Sequence, residues 1–202
     1  MKVPHHALYG ATTQRAVLNF PVSGRPVSKS IIYAFALLKQ SAASANARLK
    51  LLDKKRASLI VNACEEIMVA LDDPTRSEGM MQHFPVDVYQ TGSGTSTNMN
   101  VNEVISNIAC KAAGSKIGSK DPIHPNDHVN MGQSSNDTFP SAMQLAACME
   151  LREFLIPTMK GLAKSLKAKA KKWDKIVTVG RTHLMDATPI RMGQIFSGYE
   201  AA

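Results

Sequence analysis

Apolar residues in this chain recur at steps of three and four over four long stretches, and that period is the helical one. Residues 27–52 carry Val27, Ile31, Ala34, Phe35, Leu38, Ala42 and Ala45, with Ile32 and Leu37 on other faces, so a first long helix is expected to be buried on several sides. Asp53 is a good N-cap for a second helix whose stripe is Ile60, Ala63, Ile67, Ala70 and Leu71. That helix is expected to stop near Asp72-Asp73-Pro74, because the residue before proline disfavours the helical backbone. A third helix is expected at about 97–113 on Val101, Val104, Ile105, Ile108 and Ala112, with Gly114 as its C′ residue. The longest pattern covers about 137–173. Asp137 or Thr138 caps it, Pro140 lies in its first turn and Pro157 kinks it. Ile176–Val179 has β-type composition, and a last helix is expected from near Pro189 onward. Nothing in Gly198–Ala202 stops a helix, so the sequence reads as a fragment. The fold class implied is all-α.

Two polar stretches, 74–96 and 115–136, lack any period and contain several glycines and prolines. Loops of that length inside a compact domain are usually functional or disordered.

Composition narrows the function classes. No apolar run approaches the ~18–20 residues that span a bilayer, and Met1–His6 has no apolar signal core, which leaves no membrane role. The net charge of +8 is concentrated in Lys160, Lys164, Lys167, Lys169, Lys171, Lys172 and Lys175. Aromatic residues make up 5% of the chain and no RNA-type aromatic motif accompanies the lysines, so they read as a solvated helix face and not as a nucleic-acid surface. Cys64, Cys110 and Cys148 are odd in number, unpaired by spacing and set in apolar helical patterns. Buried free thiols and a reducing compartment are expected from them.

Three polar clusters abut predicted helices or turns. Thr91–Asn98 collects glycines and hydroxyls immediately before a helix, where free backbone N–H groups and the helix dipole favour a carboxylate or phosphate. Its Gly-Lys-Ser/Thr ending is missing, so it is not a nucleotide P-loop. Asn130–Thr138 holds more hydroxyls and amides than an N-cap needs. His124-Pro125-Asn126-Asp127-His128 lies just upstream; Pro125 argues against a helix there, and no metal site is assigned. In Gly180–Pro189, His183 has the chemistry of a general acid/base or a water-orienting group, although a lone histidine is more often structural. These residues imply a small anionic ligand without naming a reaction.

Over TGSGTSTNMNVNEVISNIA (91–109), HPNDHVNMGQSSNDTFPSAM (124–143) and VGRTHLMDATPIRMGQ (179–194), the sequence resembles the class II fumarases of the fumarase/aspartase superfamily. ALYGATTQRAVLNFPVSG (7–24) resembles the N-terminal segment of that family. Thr182-His183 fits fumarase better than aspartate ammonia-lyase, which usually has glutamine at the histidine position, and Ser134-Ser135-Asn136 points the same way. Thr13 and Met185 depart from the family's glutamines.

The resemblance implies an N-terminal helical domain over 1–130 and, over 131–202, the start of a central bundle of long helices. It implies a cofactor-free, reversible hydration of fumarate to (S)-malate. The alternatives it leaves are an aspartate ammonia-lyase and a non-catalytic dicarboxylate-binding or subunit-pairing chain. Ser93, Gly94 and Thr95 would hold one carboxylate, and Ser134, Ser135 and Asn136 would hold substrate from another direction. Thr182 would bind beside His183, which would orient or activate the water. His124, Pro125, Asn126 and Asp127 would form a second dicarboxylate site. The family's serine base lies on a Gly/Ser-rich loop that has no match here. The resemblance further implies a homotetramer with active sites shared among subunits, in the cytoplasm or the mitochondrial matrix. For the isolated chain it implies poor solubility.

Overall fold

The computed structural model describes residues 1–202, which form eight α-helices, two π-helical turns and a single two-stranded hairpin. They group into two compact units, Met1–Ala147 and Cys148–Ala202.

The first unit is built around α5 (Thr95–Ala112), which is buried on every face from Ser96 to Cys110. On one side α3 (Lys54–Asp72) brings Ile60, Ile67 and Leu71 into the same core as Val101, Val104 and Ile105 of α5. α2 (Lys29–Arg48) lies against α3 and adds Ile32 and Phe35. Asp53 caps α3 as expected, its carboxylate accepting the Arg56 N–H at 2.9 Å. Gly114, at φ +82°, follows the end of α5 where the sequence places a left-handed residue.

An all-buried helix carrying this many asparagines folds only if each polar side chain finds a partner. On α5 most of them tie down loops. Glu103 accepts the N–H groups of Gly10, Thr12 and Thr13, at 2.9, 3.0 and 3.0 Å, at the N-terminus of α1 (Ala11–Asn19). It also accepts the Thr13 hydroxyl at 2.6 Å. Thr13 thus has a packing role of its own in place of the glutamine expected from the resemblance. Asn100 donates to the His83 carbonyl, Asn107 to the Leu8 carbonyl, and Ser106 to the Ile123 carbonyl.

Three local expectations change here. The stretch 74–96 contains a short helix, α4 (Ser77–Met81), and an isolated bridge from Asp87 to Pro26. The single apolar turn around Met80 is too short to show a period. Pro125 opens a π-helical turn, Pro125–Val129, instead of preventing one, because a helix's first residues need no N–H. Helix α6 (Ser135–Glu150) begins before Asp137 and Thr138, so neither caps it and Pro140 falls in its second turn.

In the second unit a π-helical turn, Leu151–Leu155, precedes α7 (Ile156–Lys172), with Pro157 at its second position. The proline's missing donor is absorbed at this junction. Strand β1 (Val177–Thr182) pairs antiparallel with β2 (Met185–Arg191), followed by α8 (Met192–Ala201). The helix expected from Pro189 therefore starts three residues later. Trp173 meets Phe196 edge-on at 4.9 Å, and Gly193 packs against the Ala170 carbonyl, so a Cβ there would sit 2.6 Å from it. No residue of α7 is buried. The lysines are exposed as expected, and so is Cys148, contrary to its reading as a buried thiol; Cys64 and Cys110 are buried. No helix is long and apolar enough to cross a membrane.

Candidate active site

The first two polar clusters lie side by side in the first unit. Thr95 Oγ1 is 2.9 Å from Ser135 Oγ across 40 residues of sequence, and Ser93 Oγ is 3.1 Å from Thr95 Oγ1. Ser134 donates to the Asn136 side-chain carbonyl. The hydroxyls of the two clusters thus form one continuous strip at the N-termini of α5 and α6.

Backbone geometry makes that strip receptive to an anion. Gly94, the N-cap of α5, has φ +68°, and a Cβ on it would overlap the ring of Phe139. Only glycine turns the chain here while lying against Phe139. Gln90 accepts the Thr97 N–H at 2.8 Å and donates to its hydroxyl at 2.7 Å. The N–H groups of Thr95 and Ser96 find no acceptor in the protein, nor do those of Ser135 and Asn136 at the start of α6. Two helix ends with free donors, facing one hydroxyl strip, concentrate partial positive charge where a carboxylate would sit.

Beneath the strip lies a group that the motifs did not mark. Lys39 of α2 is fully buried. Its Nζ donates to Asn98 Oδ1 at 2.7 Å and to Asn130 Oδ1 at 2.9 Å. Asn130 Oδ1 also accepts from Asn98 Nδ2 and Asn102 Nδ2, both at 3.1 Å, and Thr138 Oγ1 donates to Asn98 Oδ1 at 3.2 Å. Burial pulls the lysine down to about 7, against a small opposing effect of Cys64, whose own thiol burial pushes up to about 12. A signal for Lys39 existed in the sequence. Phe35, Lys39 and Ala43 are spaced by four, which places the lysine on the apolar face of α2.

The π-helical turn holds His124, Pro125, Asn126 and Asp127. The ring Nδ1 of His124 accepts the Asp127 N–H at 3.2 Å, and His128 Nδ1 accepts the His124 N–H at 2.8 Å. Burial holds His128 below the usual imidazole value. Asn126 and Asp127 are exposed.

In the second unit Thr182 ends β1 and pairs with Met185 across a two-residue turn made of His183 and Leu184. Both turn residues have positive φ, 52° and 60°. Such turns ordinarily take Asn-Gly. Two L-residues with full side chains are strained there, by of order 1–3 kcal/mol each. Leu184 is 99% exposed, so no burial compensates for the strain. The turn holds His183 out at its tip, where neither ring nitrogen has a partner within the chain.

The family model for lyases matches residues 1–202, the whole chain. The chain belongs to this lyase family. It is 48% identical over 200 residues to a class II fumarate hydratase of Prochlorococcus marinus, covering 99% of this chain and 41% of that protein. It is also 48% identical to the mitochondrial fumarate hydratase of Homo sapiens, covering 98% of this chain and 38% of that one. Among solved structures, a fumarate lyase:delta crystallin from Brucella melitensis superposes with a TM-score of 0.90 at 38% identity, covering all of this chain and 45% of that one. Recombinant class II fumarase from Schistosoma mansoni gives 0.87 at 40% identity, again over all of this chain and 41% of the other. This lyase-family chain thus spans about two fifths of the curated relatives it matches.

Proposed function

We propose that this chain contributes the dicarboxylate-binding side of a fumarate hydratase, a lyase that adds water reversibly across the double bond of fumarate to give (S)-malate. The observation that carries the reading is the contact of Thr95 with Ser135 at 2.9 Å, which joins two helix N-termini into one anion-binding strip. Ser93, Gly94 and Thr95 take one substrate carboxylate; Ser134, Ser135 and Asn136 take the other end. In the malate direction a base removes the proton next to a carboxylate, and the charge moves into that carboxylate as the C–O bond prepares to break. Fixed N–H and O–H donors around that oxyanion stabilise it more than they stabilise the substrate. In the fumarate direction His183, with Thr182 beside it, orients the attacking water.

The family resemblance further implies His124, Pro125, Asn126 and Asp127 as a second dicarboxylate site, residues 131–202 as the beginning of a central helical bundle, and assembly as a homotetramer. Bacterial and mitochondrial relatives support the cytoplasm or the mitochondrial matrix. Binding is tested by titrating the isotope-labelled chain with fumarate, (S)-malate and aspartate while following the Thr95, Ser96, Ser135 and Asn136 amides. Shifts with the first two and not with aspartate are expected. Shifts with aspartate alone would replace the hydratase by an ammonia-lyase, and no shift with any of them would remove the site from this strip.

A further inference from the structure

Lys39 is a buried cation without a counter-ion. It is fully enclosed, and none of the chain's ion pairs includes it. Its two acceptors are neutral amides, and they lie on different segments. Asn98 is in the first turn of α5, one turn after Thr95, while Asn130 shapes the turn before α6 by donating to the Gln133 carbonyl at 3.1 Å. A third segment joins through Thr138, in the first turn of α6, which shares Asn98 Oδ1 with the lysine. One ammonium therefore touches the supports of both halves of the hydroxyl strip. An unpaired buried charge is costly and tends to lose its proton unless an opposite charge arrives.

We propose that Lys39 is a positioning residue for the anion site: it fastens the first turn of α5 to the turn before α6, and its positive charge is completed by the carboxylate that the strip binds. The second half of this proposal rests on the dicarboxylate reading; the first does not. Substrate never touches Lys39, which acts through Asn98 and Asn130. Binding of the dianion favours the protonated lysine, so binding takes up a proton and is strongest below the lysine's value in the free chain. The elements packed around Lys39 offer little competition for this role. α3 presents Cys64, a thiol that stays protonated far above neutrality. α5 presents Asn98, which does not ionise. On the π-helical turn His124, Asp127 and His128 bond among themselves.

The test uses Lys39→Met, which keeps the length of the side chain and removes its donors. The variant still folds on these grounds: Asn98 Oδ1 keeps Thr138 as donor, and Asn130 Oδ1 keeps Asn98 and Asn102. Hydrogen exchange is measured first, without ligand. The Asn98, Gln133 and Thr138 amides are expected to exchange about 10-fold faster in K39M, the loss of charge-assisted bonds, while Ile67 and Val104 in the core stay protected. Equal protection at all five amides would overturn the clamp.

Fumarate, fully ionised throughout, is then titrated into both proteins at about pH 6 and about pH 8. Wild-type affinity is expected to weaken about 10-fold across that interval and K39M to show no such slope. An identical slope in both would overturn the charge role. No amide shift in wild type at either pH would sink the dicarboxylate reading while the exchange comparison still decides the clamp. If K39M loses protection at Ile67 and Val104 as well, the wild-type slope decides: a flat profile overturns the proposal.

Discussion

Helices α5 and α7 are of nearly equal length, 18 and 17 residues, and have opposite surroundings. α5 has unfavourable helix formers in Thr95, Thr97 and its asparagines, yet it is buried on all sides. α7 is rich in lysine, alanine and leucine, which favour the helix intrinsically, and none of its residues is buried. One helix exists because tertiary partners satisfy it on every side; the other combines good propensity with one partly covered face against α8. The contrast extends to chemistry. Around α5 the segments at Gly10–Thr13, Leu8, His83 and Ile123 are held by Glu103, Asn107, Asn100 and Ser106. On α7 Ile156, Met159 and Leu162 face solvent.

The largest loss is expected from Glu103→Ala. It removes the acceptor of three backbone N–H groups at Gly10, Thr12 and Thr13 and leaves them partly buried without partners. At about 1–3 kcal/mol for each unsatisfied buried group, partly relieved by water, a loss of about 3 kcal/mol or more is expected in denaturant unfolding. A loss below about 1 kcal/mol would mean that α5 is not the polar anchor described. Gly94→Ala comes next. It meets both a left-handed backbone at φ +68° and the ring of Phe139, so a loss of about 2 kcal/mol is expected. The same variant should separate the Thr95 and Ser135 hydroxyls and abolish fumarate-induced shifts at the strip.

A third test concerns pH. Lys39, lowered by burial to about 7 from 10.5, binds fewer protons in the folded chain than in the unfolded chain between those values. Its contribution makes stability rise with pH from about 7, by no more than about 1.4 kcal/mol per unit. Cys64 acts in the opposite sense. Raised by burial to about 12 from 9.0, it keeps its proton in the folded chain and makes stability fall above pH 9. Together they predict a rise from about pH 7 to 9, a plateau up to pH 10.5 where the two slopes cancel, and a fall above it, measured as the midpoint of urea unfolding. K39M should lose the rise and keep the alkaline fall.

Legibility in the sequence followed how local the cause was. The Asp53 cap, the stop at Asp72 and the left-handed Gly114 depend on a few neighbouring residues, and all three stand in the structure. The hairpin was half legible. Ile176–Val179 showed β composition, but Met185–Arg191 contains Pro189 and has no alternation, and its pairing is set by a turn of His183 and Leu184 that carries none of the usual turn residues. The strip itself was visible as polar excess before two helices. That the excess converges on one place was not, because the Thr95–Ser135 contact spans 40 residues. Lys39 was missed because a lysine among apolar residues reads as an edge of the stripe until its acceptors, 59 and 91 residues away, are known.

The smallest effect is expected on the exposed face of α7. Leu162 is 60% exposed, and truncating an exposed leucine removes little buried surface. Leu162→Ser is therefore expected to change the stability of the isolated chain by less than about 0.5 kcal/mol, whereas the same change at Val104, which is fully buried, would not be tolerated so cheaply. Its effect should instead appear in association. If the apolar face of α7 is covered in the proposed tetramer, L162S shifts the chain toward monomer in sedimentation without moving its unfolding midpoint. If L162S lowers stability by more than about 1 kcal/mol at a dilution where the chain is monomeric, the Leu162 face of α7 is packed within its own chain, and the contrast with α5 is lost.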